Sequence, residues 1–198
     1  MNRGEVRMRA NVDDVRPPKR PALETCAGRA IAVLWALWPV GLAGCHQTQG
    51  CDPSQTCACS GGGECDLGCS GDGCVQTCDS IGDTCGLVCN NDCSSKCSNA
   101  PHCTASCGAG CALECDSVST CEFICGDSCN ATCNNAPTCG IVAGAGSVIT
   151  CDSVSDCTVS CGGPCHVTCN NVASCNLTCP ENAAPIPCTT GEWACGAC

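Results

Sequence analysis

Thirty-two of the 198 residues are cysteine, the side chain that serves at once as nucleophile, metal ligand and cross-linker. From Cys85 they fall at 85, 89, 93 and 97, then at 103, 107, 111 and 115, then at 121, 125, 129 and 133. Intervals of four, four, four and six give a period of eighteen residues. The period runs on through Cys139, Cys151, Cys157, Cys161, Cys165, Cys169, Cys175 and Cys179, and it begins at Cys65 in a unit stretched to twenty that holds Cys69, Cys74 and Cys78. That makes about seven units. A double period of 36 lies on top: Cys-Asp-Ser recurs at 78, 115 and 151, and Cys-Ser-Asn or Cys-Asn-Asn at 97, 133 and 169. So many thiols persist as disulfides or as metal thiolates, and export favours disulfides.

The residues between the cysteines decide which elements position them. A spacing of four suits a helix stripe, but the segments Cys85-Gly-Leu-Val-Cys89, Cys121-Glu-Phe-Ile-Cys125 and Cys157-Thr-Val-Ser-Cys161 alternate as strands do. The apolar column is Leu67, Leu87, Ala105, Phe123, Ile141, Val159 and Leu177. Leu113, Ala131, Ile149 and Val167 form a second one, from which Gln76 and Ser95 depart. Asn-Asn-Asp at 90–92, Gly-Ala-Gly at 108–110 and Gly-Asp-Ser at 126–128 are turn residues. The link closing each unit is also turn-like, with an apolar residue near its middle at Ile81, Ala100, Val118, Ala136, Val154 and Val172 that is expected to point inward. No unit can bury its apolar side alone, so the sequence predicts an all-β fold, a parallel β-helix or flattened β-solenoid of about seven 18-residue coils. With a rise of about 4.8 Å per coil, seven coils make a rod roughly 34 Å long. Apolar columns with glycine and asparagine turns resemble bacterial surface solenoids in general.

One unit tests the bridge pattern from within. After Cys139 the second and third cysteine positions are Ala143 and Ser147, missing together. Pairing across the tight turn leaves no orphan thiol there. It predicts Cys69 with Cys74, Cys89 with Cys93, Cys107 with Cys111, Cys125 with Cys129 and Cys161 with Cys165. The cysteines flanking the longer turn then pair as Cys78 with Cys85, Cys97 with Cys103, Cys115 with Cys121, Cys133 with Cys139, Cys151 with Cys157 and Cys169 with Cys175. The same six-residue spacing suggests Cys51 with Cys57 and Cys59 with Cys65. Setting aside Cys26 and Cys45 leaves thirty cysteines, enough for fifteen bridges. The pairing of Cys179, Cys188, Cys195 and Cys198 stays open.

Residues 30–42 are an unbroken apolar run behind Lys19, Arg20 and Arg29, the layout of a signal peptide and too short to span a bilayer. It ends in Leu42-Ala43-Gly44-Cys45, which resembles the lipobox of bacterial lipoproteins. The resemblance implies cleavage between Gly44 and Cys45, diacylglycerol on the Cys45 thiol and acylation of the new amino terminus. With His46 rather than aspartate next, it implies an outer-membrane or cell-surface location. The expected organisation is a signal peptide over 1–44, with a long basic segment that suggests a misplaced start. A lipid-anchored tether and amino-terminal cap follow over 45–64, repeats over 65–179 and a carboxy-terminal cap over 180–198.

Charge narrows the functions. Residues 1–44 hold seven of the eight Lys and Arg, leaving Lys96 alone against fifteen acids in the remainder, which excludes a basic nucleic-acid surface. His46, His102 and His166 occupy different repeat positions and the serines lack a paired histidine, so neither an enzyme nor a bound cofactor is expected. Cys195 and Cys198 resemble the Cys-x-x-Cys of thiol oxidoreductases, but no helix follows to activate a thiol and a structural terminal bridge is expected. The column Asp79, Ser98, Asp116, Asn134, Asp152 and Asn170 offers oxygens to calcium, or caps the corners as Asx turns. Lys96 and Glu114 interrupt the outward Thr132, Thr150 and Thr168, against an ice-binding array, and Phe123 and Trp193 are too few for a sugar platform. The expectation is a non-enzymatic, lipid-anchored acidic rod, structural or at the cell surface. The alternatives are an adhesion or ligand-binding module and a metal-thiolate protein for zinc or copper.

Overall fold

Strands of five or six residues with a turn every few positions bury their apolar sides here by stacking into two facing parallel sheets. The computed structural model describes residues 46–53 and 55–198. The signal segment, the cleavage position and the lipidation candidate Cys45 lie outside the described residues. Sheet A has eight strands: β1 (His46–Cys51), β3 (Glu64–Cys69), β5 (Thr84–Val88), β7 (His102–Cys107), β9 (Thr120–Cys125), β11 (Thr138–Ala143), β13 (Asp156–Cys161) and β15 (Ser174–Thr178). Sheet B interleaves with it as β2 (Thr56–Ser60), β4 (Val75–Asp79), β6 (Ser94–Ser98), β8 (Ala112–Asp116), β10 (Asn130–Asn134), β12 (Ser147–Asp152) and β14 (Cys165–Asn170). Each odd–even pair is one coil, so the chain winds seven full coils and ends with β15 on sheet A. Registers hold the repeat in step, with Cys103 beside Cys121, Ala105 beside Phe123 and Cys107 beside Cys125.

The interior is the set of columns seen in the period. Leu67, Leu87, Phe123, Ile141 and Val159 line one sheet and Leu113, Ala131, Ile149 and Val167 the other, all buried, with cysteines inward at both ends of the strands. Phe123 sits in register beside Ala105, and Ala131 on β10 of the same coil is also buried, so small neighbours make room for the largest core side chain. Gln76 and Ser95 are buried too, and they are satisfied. The Gln76 amide donates to the carbonyls of Leu67 at 3.0 Å and Val88 at 3.1 Å, and the Ser95 hydroxyl donates to Gln76 Oε1 at 3.0 Å. This polar brace joins the two sheets where an apolar pair would have filled the gap.

Backbone hydrogen bonds continue from coil to coil through both kinds of turn. At the longer turn the residue after each Asx or Ser position is left-handed, as at Ser80, Asn99, Ser117 and Asn135, and its N–H donates to the next coil, as from Asn99 to Asp116 O at 3.2 Å. At the tight turn the same role falls to Gly73, Asp92, Gly110, Ser128 and Gly146. Ile81, Ala100, Val118, Ala136 and Val154 are buried behind the longer turns, while Val172 is half-buried.

Residues 46–60, read as a tether and cap, form a full coil whose β1 runs parallel to β3 and whose β2 runs parallel to β4. Gln49 stands in register with Leu67 and is exposed at this end of the stack. At the other end a single 3-10 turn (Pro180–Asn182) leads into the hairpin β16 (Ile186–Thr189) and β17 (Glu192–Cys195), which pairs antiparallel onto β14. Gly191 makes that hairpin close. Its φ is +80°, and a Cβ there would lie 2.9 Å from Cys169 O. β15 receives no such cover, and Cys175 and Leu177 are only half-buried. Among the described residues no helix is long and apolar enough to cross a membrane.

Candidate functional site

The solenoid turns a linear cysteine period into four inward columns, two at each edge. At the longer-turn edge, bridges join Cys59 to Cys65, Cys78 to Cys85, Cys115 to Cys121, Cys133 to Cys139, Cys151 to Cys157 and Cys169 to Cys175. At the tight-turn edge they join Cys51 to Cys57, Cys69 to Cys74, Cys89 to Cys93 and Cys161 to Cys165, with Cα separations of 6.0, 6.5, 6.6 and 6.3 Å. Such distances are within reach of a disulfide only because the chain reverses between the two cysteines, for an extended strand carries four residues about 13 Å apart. Ala143 and Ser147 occupy the columns of Cys161 and Cys165. The Ser147 hydroxyl is buried and accepts from the Cys129 backbone N–H at 3.2 Å, so the coil without this bridge leaves no polar atom unpaired there.

The terminal cysteines, whose pairing the sequence leaves open, form two bridges. Cys179 joins Cys195 and Cys188 joins Cys198. β17 runs antiparallel to β14 and sets Cys195 beside Cys165, so the first of these bridges reproduces one more tight-turn staple with a strand of reversed direction. No exchange-active Cys-x-x-Cys pair exists at this end.

Three expected pairs differ. Cys97 and Cys103, Cys107 and Cys111, and Cys125 and Cys129 are thiols, all buried. Each has competing partners, which is why spacing alone does not fix its state. Cys107 donates to Cys125 in the next coil and also interacts with Cys111 across its own turn. Cys111 donates to Asn90 O at 3.4 Å and Gly108 O at 3.6 Å, and Cys129 to Gly126 O at 3.3 Å and Gly108 O at 3.6 Å. The result is a quartet of sulfurs over two successive tight turns. The hydrogen bond from Cys107 holds the Cys125 thiol below its ordinary value, at about 7, against the opposing effect of burial. That same hydrogen bond, followed by burial, pushes Cys107 up, and burial followed by the contact with Cys125 pushes Cys129 up to about 12. Cys103 is pushed up by its hydrogen bond with Cys97 and by burial.

A metal fits this arrangement poorly. Among the described residues, four groups of three cysteine sulfurs lie within 4.8 Å of one another, namely Cys78, Cys85 and Cys97; Cys89, Cys93 and Cys111; Cys115, Cys121 and Cys133; and Cys161, Cys165 and Cys195. Each contains a disulfide, and none offers more than one thiol. Zinc and copper bind the thiolate, whose charge a disulfide sulfur lacks.

The Asx column is built as a hydrogen-bond ladder. Asn99 Nδ2 donates to Asp79 Oδ1 at 2.9 Å, Asn135 Nδ2 to Asp116 Oδ1 at 3.1 Å and Asn171 Nδ2 to Asp152 Oδ1 at 3.3 Å. Carboxylate and amide alternate along the stack, which is the physical content of the 36-residue double period. The bonds from Asn99, Ser98 and Ser80 hold the Asp79 carboxyl below its ordinary value. Oxygens that accept amide protons suit a corner ladder better than a calcium site.

The remaining candidates are scattered. His46 and His102 open β1 and β7, the same strand position three coils apart, about 14 Å at the strand spacing, whereas His166 lies on sheet B. Lys96 pairs with Glu114 at 2.7 Å on the exposed face, a contact of small energetic weight. Phe123 is core. Trp193, 39% exposed, borders a groove of about 370 Å³ over β15 with Asn176, Leu177, Thr178 and Pro185, a feature the period could not show because the hairpin lies outside it. No protein-family model, curated protein or solved structure matches this chain.

Proposed function

We propose that this chain is a non-enzymatic structural protein of the bacterial cell envelope, held to a membrane by lipid on Cys45 and presenting a stiff, acidic, disulfide-stapled solenoid at the surface. The observation that carries the reading is the continuity of the stack. β1 starts at His46, the residue after Cys45 in sequence, and from there each coil of the solenoid pairs in register with the next. Bridges at both edges restrict the unfolded chain, each by about 2 kcal/mol less any strain. The charge from residue 45 onward, one lysine against fifteen acids, keeps such a surface solvated and self-repelling.

Cys45→Ser tests the anchor. The variant is expected in the soluble rather than the membrane fraction, and an unmodified Cys45 in the mass spectrum of the native protein would reject it. The groove beside Trp193 supports a second reading, an adhesion or ligand-binding module. Pull-down from the intact cell surface, compared with the lipid-free protein, separates the two. A partner retained by the lipid-free form and lost with Trp193→Ala favours the binding module.

A further inference from the structure

The quartet Cys107, Cys111, Cys125 and Cys129 differs from the other tight turns flanked by two cysteines in having no bridge. We propose that these four residues form a dithiol–disulfide exchange site, at which small-molecule disulfides are reduced to thiols while the two turns close as Cys125–Cys129 and Cys107–Cys111.

Geometry supplies the path. Cys107 and Cys125 retain 9% and 6% exposure, whereas Cys111 and Cys129 behind them retain 1% each. The outer pair is therefore the entry and the inner pair resolves. Cys125, the more exposed sulfur of its turn and in register beside Cys107, enters as the thiolate, which is the nucleophile. It attacks one sulfur of the external disulfide RSSR, the Cys125 Sγ–SR bond forms and the first RS⁻ departs, taking the proton of Cys129. The Cys129 thiolate then attacks Cys125 Sγ, which closes the intramolecular bridge and releases the second RS⁻, which takes up a proton from water. Two protein thiols are oxidised and one RSSR becomes two RSH. Cys107 and Cys111 repeat the sequence on the neighbouring turn. Closure within a turn, rather than along the column, follows the bridged tight turns, whose Cα separations are 6.0 to 6.6 Å.

The neighbours bound the site. On one side the Cys111 sulfur lies within 4.8 Å of both sulfurs of the Cys89–Cys93 bridge. On the other stand Ala143 and Ser147, which hold no sulfur, so exchange cannot pass further. Cys97 and Cys103 are a built-in control: they are also thiols, but at 0% and 1% exposure they have no path to solvent.

The test uses the full-length protein isolated under acid quench, with oxidised glutathione as the probe. Differential alkylation without denaturant is expected to label Cys107 and Cys125 while sparing Cys97 and Cys103 until the chain is unfolded. Oxidised glutathione should release four equivalents of reduced glutathione, two for each turn closed, and peptide mapping should find Cys125–Cys129 and Cys107–Cys111. Cys129→Ser should stop at glutathione held on Cys125. Isolation of the native protein with these four positions already bridged overturns the proposal. So does equal labelling of Cys97 and Cys103, or a product joining Cys107 to Cys125.

Discussion

At the longer-turn edge each coil from the second to the seventh follows one plan, an Asx or Ser residue, a left-handed residue after it and an inward apolar residue behind, with side-chain amides donating to the carboxylates of the coil before. At the tight-turn edge the three central residues change from coil to coil, one coil has lost both cysteines, and two more hold thiols. Both edges share the backbone ladder, so the difference lies in what the side chains add. Register is specified at the longer turn, where a slip of one coil would set carboxylate against carboxylate. The tight turn needs only three residues that reverse the chain, which leaves its cysteines free for chemistry.

Removing what both edges share has the largest expected effect. Full reduction should abolish cooperative unfolding and the β circular dichroism spectrum, because the thin apolar columns offset little chain entropy without staples. A reduced protein that still melts cooperatively would mean that the hydrogen-bond ladders suffice. Next comes one staple from each edge. Cys115→Ala with Cys121→Ala should cost about 2 kcal/mol. Cys161→Ala with Cys165→Ser should cost less, since Ala143 and Ser147 already show a coil closing without sulfur. Denaturant midpoints in the reverse order would break the distinction. Between the edges, Gln76→Leu should cost about 1–3 kcal/mol by removing the bonds to Leu67 and Val88 and stranding the Ser95 hydroxyl. Adding Ser95→Ala should recover part of that loss.

The smallest effects compare two left-handed residues. Asn99→Gly keeps the backbone conformation but removes the amide that binds Asp79, so it should destabilise measurably. Asp79 has its pKa lowered in the folded state, so its contribution is present above the ordinary carboxyl value and is lost as pH falls through the lowered one. The cost of Asn99→Gly should fade in acid accordingly. Ser128→Gly, at the tight edge with φ +58°, should stay within about 0.5 kcal/mol of neutral.

Much of this architecture is legible in the period. The columns from Leu67 to Val159 and the inward residues Ile81 to Val154 are apolar in the sequence and buried in the fold, because a strand's alternation fixes which face each residue takes. The first coil was hidden for the converse reason. Gln49 stands in register with Leu67 without an apolar signature, so 46–60 resembles a tether until the register is seen. Gln76 and Ser95 looked like defects because their partners, two backbone carbonyls and each other, lie 9 to 19 residues apart along the chain. The terminal hairpin breaks the parallel repeat, so no period could pair Cys179 with Cys195. The thiol quartet depends on whether a cysteine meets the sulfur across its own turn or the one in the next coil, which spacing cannot rank.

The alternation of Asp-Ser and Asn-bearing corners sets the step by which such a molecule can lengthen. Deleting the coil that carries Asn134 and Asn135 would leave Asp116 against Asp152, two carboxylates with one amide lost between them. Deleting two adjacent coils restores donor to acceptor along the whole corner. Growth by gene duplication is therefore favoured in blocks of 36 residues, and a variant shortened or extended by one coil carries a charge fault at a single, nameable seam.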